Sequence, residues 1–594
     1  MLWTVCLAIS IWMAIVPPII AIAIEANKSR GIHAPVFRVG VVSILISAAV
    51  GFFPLMSGAE SGTFAETAKA VLLAALHAMK AFAMGVEFGE LASGIERCSA
   101  ELATGYLLWA AVLVVLAPMF TFGFVLSLFR NLSARIQYAL ANGREMYVFS
   151  ELTDKSMILA ADLKRNHPKA AFAFAEATEK ESSEELMRKA NNLGAILFRG
   201  DIASIARLGH SEKKGLWLFA MGEDEDKNLD MALQLIEICR ERPNTNLYVS
   251  SLSAESELLL TAVEKGKVRL RRINEVRSMI NRVLYQDGHR LFDNAMPAED
   301  GVKEIHGVIV GMGHHGTEML KALAWYGQMD GYRVHIHAFE KDRLAEEKIT
   351  ADAPELLSPA YNGVMIEGEA QYHITVHSGC DVNTAAFAEK ISEIRRANYV
   401  LVSLGDDDLN TRTAVRLRML FERIGVHPII QAILYNSRRK EALTGITNYR
   451  GQPYDIEFVG DMESSYTEAV IIDSALEQEA LQRHLKWGKA EEFWNYEYNY
   501  RSSVAAALHM HARIHCGIPG AELPEEQLEG EALRRFEMLE HRRWNAYMRA
   551  EGYVYSGSPH QSSRNDLAKM HHNLVVFDEL SEKDKHKDSR VGLK

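Results

Sequence analysis

The chain has 594 residues, a formal net charge of −12 and 48% apolar residues. This length predicts several domains rather than one core. The acidic balance, with no basic block able to neutralise phosphates, argues against a nucleic-acid partner. The five cysteines lack CxxC spacing, which predicts free thiols in a reducing compartment; they are Cys6, Cys98, Cys239, Cys380 and Cys516.

Three apolar runs, 1–24, 39–56 and 102–129, begin the chain. Each is long enough to cross a hydrocarbon core of ~30 Å. The first has no basic n-region and no clear cleavage site, so we interpret it as a helix rather than a signal peptide. Residues 1–135 are therefore predicted to form an α-helical transmembrane module in contact with membrane lipid.

Cations near the ends of these runs predict the orientation of the module. Basic residues lie between the first and second runs and directly after the third, whereas 57–101 is predominantly acidic. The positive-inside rule then places the N-terminus outside and the long C-terminal region in the cytoplasm. We predict a multi-pass protein of the inner (plasma) membrane.

A further apolar segment, 64–84, lies between the second and third runs. It contains Lys69, His77 and Lys80, which would be costly in a span that faces lipid. A re-entrant or interfacial helix is favoured there.

The sequence Gly85-Val86-Glu87-Phe88-Gly89-Glu90 follows that segment. The order of helix, re-entrant helix, glycine-flanked loop and helix resembles the pore of potassium-channel-like proteins, with VEFGE where their filter has VGYGD. Glu87 replaces a glycine whose carbonyl would line the pore, so the resemblance does not by itself imply potassium selectivity. The resemblance implies a cation pathway lined by Glu87 or Glu90 from several subunits of a homo-oligomer, with a tetramer favoured. The alternative is an ordinary four-helix anchor with a polar loop.

Two series of short apolar strands alternate with helical patterns after the membrane module, which predicts parallel, doubly wound α/β sheets. The first series spans 143–290 and the second spans 302–465. The predicted strands are 145–150, 170–175, 195–198, 216–220, 246–251 and 268–273, then 307–310, 332–339, 374–377, 399–403, 429–434 and 456–459.

The second series contains a GxGxxG sequence, Gly311-Met312-Gly313-His314-His315-Gly316, between a strand and a helix, with Glu340 some distance on. This context fits a dinucleotide-binding turn. Gly311 would permit the tight turn, Gly313 the approach of a pyrophosphate and Gly316 close helix packing, while Glu340 would accept from a ribose hydroxyl. The predicted cofactor is NAD or another nucleotide; the alternative is a Rossmann scaffold whose turn is only structural.

Internal repetition supports the pairing of the two series. MGEDEDKNLDMALQL at Met221 parallels LGDDDLNTRTAVRL at Leu404. Aligning the first strands puts Ser150, Leu152 and Lys155 where the glycines stand, so the first unit is predicted to have lost its phosphate loop. The acidic runs 223–226 and 406–408 are either calcium ligands or helix starts, and the second interpretation is favoured.

Tandem units of this kind, with acids and an asparagine after the fourth strand, resemble the regulatory NAD-binding domains of Trk/Kef-type potassium transport and the RCK domains of gated channels. The resemblance covers about 143–461. It implies a cytosolic ring whose rearrangement on ligand binding pulls on pore helices.

The last segment, 466–594, is predicted to be mainly helical. His511 and His515 are four residues apart, but a surface or core pair is favoured over a metal site. Residues 536–588 carry EHRRW, GYVY, RND, KMH, LV and DEL, a pattern that resembles the ryanodine-receptor (RyR) repeat of bacterial proteins, although Tyr553, Ser556 and His572 depart from it.

The RyR-like segment offers aromatic rings and cations suited to stacking on a base and pairing with phosphate. The predicted ligand-binding residues are His541, Arg543, Trp544, Tyr553, Arg564, Lys569 and His571. The alternative is that Trp544 and Tyr553 belong to the core of the segment.

Together these features predict a multidomain homo-oligomer: a ligand-gated membrane channel that conducts cations and senses a nucleotide-type ligand, with no catalytic site. Bacterial proteins of this composition have been proposed as effectors of nucleotide-messenger anti-phage defence, and the resemblance permits that role. The alternatives are a membrane-anchored NAD(P)-dependent oxidoreductase and a regulatory subunit of a potassium transporter.

The filter-like loop generates a first prediction. Replacing Glu87 with glutamine removes a charge from the predicted cation pathway, so conductance or ion selectivity in reconstituted bilayers should change while ligand affinity stays the same. Unchanged permeation would remove the loop from the pathway.

Overall fold

The protein is described from a computed structural model. It covers most of the chain, namely residues 2–26, 34–57, 63–83, 85–86, 88–96, 98–176, 184–358, 360–361, 364–365, 371–486, 488–523, 527–557 and 564–589. The chain divides into two compact units, Met1–Gln137 and Tyr138–Lys594.

The first unit is helical. Its helices are α1 (Leu2–Ala26), α2 (Ala34–Met56), α3 (Phe64–Phe82), α4 (Phe88–Ile95) and α5 (Ala100–Leu140), the last of which continues into the second unit. Three segments are long and apolar enough to span a membrane: Leu2–Ile20, Val39–Met56 and Ala100–Pro118. The prediction of three apolar N-terminal helices that could span a membrane is confirmed, and the predicted re-entrant or interfacial segment is helical as α3.

Buried hydrogen bonds join three of these helices. Ser10 on α1 and Ser47 on α2 each donate from the hydroxyl to the other's carbonyl oxygen, at 2.7 Å. Trp109 on α5 donates to the hydroxyl of Ser10 at 2.8 Å, and Tyr106 donates to the carbonyl of Gly51 at 2.9 Å. Polar side chains thus find their partners inside the bundle, as an apolar environment requires.

The second unit begins with a six-stranded parallel sheet in the order β3-β2-β1-β4-β5-β6. Its elements are β1 (Met146–Phe149), α6 (Asp154–Asn166), β2 (Ala171–Phe174), α7 (Glu184–Leu193), β3 (Ile196–Leu197), α8 (Ile202–Ala206), β4 (Leu216–Ala220), α9 (Glu225–Cys239), β5 (Thr245–Ser250), α10 (Ala254–Ala262) and β6 (Val268–Ile273). Helices α11 (Glu275–Asp287) and α12 (Arg290–Asp293) lead to the second sheet.

The second sheet repeats this topology in the order β12-β9-β8-β13-β14-β17, with β7 antiparallel to β8. Its elements are β7 (Met296–Pro297), β8 (Lys303–Val310), α13 (His314–Tyr326), β9 (Tyr332–Glu340), α14 (Ala345–Asp352), β10 (Ala360–Tyr361), β11 (Val364–Met365), β12 (Tyr372–Ser378), α15 (Ala385–Glu393), β13 (Tyr399–Val402), α16 (Asp407–Arg423), β14 (Ile429–Ile433), α17 (Ser437–Thr444), β15 (Asn448–Tyr449), β16 (Gln452–Pro453) and β17 (Ile456–Val459). The predicted parallel, Rossmann-like α/β domains are confirmed.

Matching asparagines show that the repeat in sequence is a repeat in structure. Asn228 on α9 accepts from the backbone N–H of Gly222 at 2.7 Å and donates to the carbonyl of Ser250. Asn410 on α16 does the same with Leu404, also at 2.7 Å, and Ile433. Each side chain therefore joins the ends of the fourth and fifth strands of its sheet.

The rest of the chain is mainly helical, as predicted. It contains α18 (Met462–Ser465), α19 (Glu468–Ile471), α20 (Ala475–His484), α21 (Ala490–Asn495), α22 (Glu497–His515), α23 (Gly530–Ala550), β18 (Val554–Tyr555), β19 (Met570–His571), a 3₁₀ turn (Phe577–Glu579) and α24 (Glu582–Ser589). Buried side chains of α11, α13, α22 and α23 belong to one continuous core with the second sheet. The C-terminal helices are thus packed on the second α/β domain.

A buried ion network joins the first domain, the second domain and the C-terminal helices. Arg277 on α11 pairs with Glu318 on α13 at 3.1 Å and with Glu551 at the end of α23 at 3.4 Å. Arg501 on α22 pairs with Glu551 at 2.8 Å and with Glu257 on α10 at 3.1 Å. Burial by itself raises the pKa of Glu551, but Arg277 and Arg501 outweigh it and lower that pKa to about 2.

This network generates a prediction about stability. Glu551→Gln removes the counter-charge that Arg277 and Arg501 share, while Glu318 and Glu257 remain as partners, and this loss should cost about 1–3 kcal/mol. Thermal unfolding of the purified full chain in detergent should shift to lower temperature. The matched control is Glu264→Gln, because Glu264 pairs with Arg240 on the surface and its side chain is 78% exposed; equal melting of the two variants would contradict the prediction.

The same pairing predicts a dependence on pH. The pKa of Glu551 is about 2 in the folded chain and about 4.3 in an unfolded one. Its contribution to stability is therefore complete above about pH 4.3 and is lost as the pH falls towards 2. Over that range Glu551→Gln should lose less stability than the parent chain, measured by melting at each pH; parallel curves would refute the assignment.

Candidate functional site

The glycine turn between β8 and α13 has the geometry that its sequence requires. Gly311 has a φ of +93°, and a Cβ on it would lie 2.4 Å from the carbonyl oxygen of Ser403. A Cβ on Gly316 would lie 1.8 Å from the carbonyl oxygen of Gly311. Both positions therefore exclude side chains for reasons internal to the fold.

Gly313 differs from its two neighbours in the motif. It is the N-cap of α13, it is exposed, and a Cβ on it would meet no described atom within 4 Å. The first N–H groups of a helix have no intrahelical acceptor, and within the described chain no side chain accepts from Gly313, His314 or His315. This helix start is thus open to an anion.

The first domain fills the corresponding position with its own side chains. Thr153 caps α6, its hydroxyl accepts from the N–H of Ser156 at 3.2 Å, and its own N–H donates to the hydroxyl of Ser156 at 2.9 Å. This capping box occupies two of the donors at the start of α6, the N–H groups of Thr153 and Ser156. The loss of the phosphate loop from the first domain stays a prediction.

Glu340 lies at the end of β9, directly beside the turn. Its carboxylate accepts from the N–H of Met312 at 2.7 Å and from the N–H of Asp342 at 3.2 Å. Each oxygen keeps a lone pair, so the side chain is held in place while remaining able to accept from a ligand hydroxyl.

A cavity of about 530 Å³ opens at the carboxyl ends of the strands of the second sheet. Its walls include the glycine turn, Glu340, the 380–383 segment after β12, the 403–405 segment after β13 and Tyr435 after β14. In parallel α/β folds this is the edge at which ligands bind. Leu252, Glu275 and Val276 of the first domain complete the wall, a contribution that the sequence did not predict.

A second cavity, of about 630 Å³, adjoins the first at Gly313, His314 and Glu340. It contains the ion network described above, and its other charged walls are Arg272, Lys321, Asp342, Lys348, Asp352 and Lys569. The open start of α13 thus lies between the two cavities. The first has apolar and polar walls, and the second has strongly charged walls. Among the predicted RyR-like residues, Lys569 lines this cavity.

The two histidines of the motif differ in environment. His314 is exposed, whereas His315 is partly buried with its Nδ1 3.5 Å from the hydroxyl of Tyr435. Burial lowers the pKa of His315, so its ring is neutral at pH 7. His315 can offer a hydrogen bond to a ligand rather than a positive charge.

Several of the predicted RyR-like ligand residues already have protein partners. His541 is buried and donates from Nε2 to the carbonyl of Val575 at 2.9 Å. Arg543 is buried against Glu540 at 2.8 Å. Tyr553 is buried in the core and donates to Asp566 at 3.3 Å.

The remaining members of that set lie nearer the surface or between aromatic rings. Trp544 is half-buried, with ring centroids 5.8 Å from His541 and 4.9 Å from His571. Arg564 is exposed, lies over the ring of Tyr498 and pairs with Asp566 at 3.0 Å. A role of these residues in ligand binding stays a prediction.

The predicted pore residues cannot be placed in the same way. Glu87 lies outside the described residues, and Glu90 belongs to α4, where its side chain is not described. Their role in a cation pathway stays a prediction from the sequence.

The acidic runs begin helices, as the favoured interpretation predicts. Asp224 caps α9 and Asp406 caps α16. His511 and His515 each contact a different carboxylate, Glu479 and Asp293, and the interpretation as a surface or core pair rather than a metal site stays a prediction.

No family model matches the sequence, and no curated protein matches it. The solved structures similar to it include the crystal structure of a mutant of GsuK, at 17% identity and a TM-score of 0.34, with 75% of this chain and 98% of that chain covered. A likeness at this level carries no argument about the function of this chain.

Substitutions at two glycines of the turn can distinguish a role in ligand binding from a role in the fold. Gly313→Glu adds a charged side chain into open space, so the fold should persist while a phosphate-bearing ligand binds more than about tenfold less tightly, or about 1.4 kcal/mol. Gly316→Ala should instead lower the melting temperature, because its Cβ would overlap the carbonyl of Gly311.

Nucleotide affinity is measured by calorimetry on the full chain. The matched control is Gly143→Glu, which adds the same side chain at an exposed glycine with open space around its Cβ. Retained affinity in Gly313→Glu would remove the turn from the binding site.

Proposed function

We propose that the protein is a ligand-gated, oligomeric membrane protein whose second α/β domain binds NAD or another nucleotide at the turn from Gly311 to Gly316. The observation that carries the proposal is the open start of α13 beside Glu340, between two cavities. The pyrophosphate would lie on the N–H groups of Gly313 and His314, and Glu340 would accept from a ribose hydroxyl.

The position of the site supports a regulatory role for the ligand. Leu252 and Val276 line both cavities from the first domain, and Arg501 and Glu551 line the second cavity from the C-terminal helices. A nucleotide there would contact three parts of the chain, and its affinity would differ between arrangements of those parts. Such a difference is the source of any ligand-driven change, and about 10⁴-fold is needed to move an equilibrium from 1:99 to 99:1.

Helix α5 provides the route to the membrane in this proposal. It runs without interruption from Ala100, in an apolar segment able to span a bilayer, to Leu140, six residues before β1. A rearrangement of the α/β domains would move the end of α5 and thereby the apolar helices. The cation pathway lined by Glu87 or Glu90 belongs to this proposal, as do the cytoplasmic location of the α/β domains and the tetrameric assembly.

The biological role follows from the chemistry of the ligand. A nucleotide messenger that opens or closes a cation pathway would change the membrane potential. Because residues 536–588 resemble RyR repeats, we propose anti-phage defence as the biological role. In this role the RyR-like segment would contribute Lys569, which already lies in the second cavity.

The test is ion flux from liposomes that contain the purified full chain, with NAD, other dinucleotides and cyclic nucleotides added one at a time. One of them should change cation flux in the parent chain and in Gly143→Glu, and should fail to do so in Gly313→Glu. Binding without any flux in the parent chain would favour a regulatory subunit. Oxidation of NADH without added substrate would favour an oxidoreductase.

A further inference from the structure

One face of the second sheet carries a row of histidines on neighbouring strands. His306 on β8 lies opposite His335 on β9, which lies opposite His373 on β12. The rings of His306 and His335 are stacked with centroids 4.6 Å apart. Side chains alternate between the two faces of a strand, so Ile305 and Val334 next to them pack in the core on the opposite face, while Val308 and Val310 pack in a second core on the face of His306.

Glu304 stands beside the first two histidines. Its carboxylate oxygens lie 3.2 Å from His306 Nε2 and 3.7 Å from His335 Nε2, and one ligand atom from each of the three residues lies within 4.8 Å of the other two. Ligands about 2.0–2.2 Å from a tetrahedral zinc ion lie about 3.4 Å apart. The side chains thus need only small movements to close around one ion.

Two of the ring nitrogens lack any hydrogen-bond partner. His306 Nδ1 and His335 Nε2 are buried atoms without a partner in the part of the chain that the structure describes. A buried polar atom without a partner is costly, whereas a metal ion would satisfy His335 Nε2. The side chains stay partly accessible, at 14% for His306 and 26% for His335, which leaves an ion a way in.

We propose that Glu304, His306 and His335 form a binding site for one divalent first-row transition-metal ion such as Zn²⁺, with water as the fourth ligand. Two imidazoles and one carboxylate form a donor set that suits Zn²⁺ and its neighbours better than Ca²⁺ or Mg²⁺. The site is independent of the nucleotide proposal, because His306 lies five residues, or about 17 Å of strand, before Gly311.

Two arginines also contact the Glu304 carboxylate, and they would lose contact with the oxygen that binds the metal. Arg396 Nε lies 3.1 Å from one oxygen, and Arg333 Nη1 lies 3.4 Å from the other. Each has a second anchor, since Arg396 donates to the carbonyls of Met296 and Pro297 and Arg333 pairs with Asp300. Neither arginine is left without a partner when the metal takes Glu304.

Zn²⁺ binding to the full chain tests the proposal, using protein purified in detergent without a polyhistidine tag and stripped with a chelator. One equivalent of Zn²⁺ per chain should bind and raise the melting temperature. Co²⁺ in its place should give the visible absorption of a four-coordinate ion. His306→Gln and His335→Gln should each weaken Zn²⁺ binding by more than about tenfold. Even residues that only hydrogen-bond to a metal-binding side chain typically cost at least this much when they are replaced.

The controls separate loss of a ligand from loss of the fold. Glu304→Gln keeps the shape of the side chain and should also weaken binding. His515→Gln, which removes a histidine paired with Asp293 on the surface, should bind as the parent chain does. Binding of less than one equivalent of Zn²⁺ by the parent chain would overturn the proposal. Equal Zn²⁺ affinity in His335→Gln and His515→Gln would also overturn it, provided that both variants melt like the parent chain without metal.

Discussion

The pairing of Arg277 and Arg501 with Glu551 is the constraint on which the larger unit depends. The three side chains come from α11, α22 and the end of α23, and each is mostly buried, with 19%, 9% and 12% of the side chains of Arg277, Arg501 and Glu551 exposed. Ions in such a place are stable only as a set, because each would be strongly unfavourable without the others. The network therefore joins the first domain, the second domain and the C-terminal helices through one set of ion pairs.

The same charges lie beside the open start of α13. Gly313, Arg501 and Glu551 share the wall of one cavity, so an anion on the helix start would act on the network through its field. In the proposed binding mode, ligand binding and the ion network would be thermodynamically linked, so each would change the free energy of the other.

The two α/β domains show how one topology supports two local outcomes. Asn228 and Asn410 make equivalent bonds, and the strand orders are the same. At the first turn, however, a capping box occupies the N–H groups of Thr153 and Ser156 at the start of α6, whereas no side chain among the described residues caps the start of α13 at Gly313. A few side chains at a helix start thus change the local donors, with no change in the sheet.

The sequence by itself determined the apolar helices, the parallel strands of both sheets and the glycine turn, because each rests on local periodicity or on residues adjacent in the chain; it did not predict the short antiparallel strand β7. Even the roles of Gly311 and Gly316 followed from their spacing. Only the tertiary structure decided that Leu252 and Val276 line the same cavity as Gly313, that Glu551 pairs with Arg277, and that His306 lies beside His335. These contacts join residues far apart in the chain or on neighbouring strands, and their geometry depends on packing and register, which no local pattern encodes.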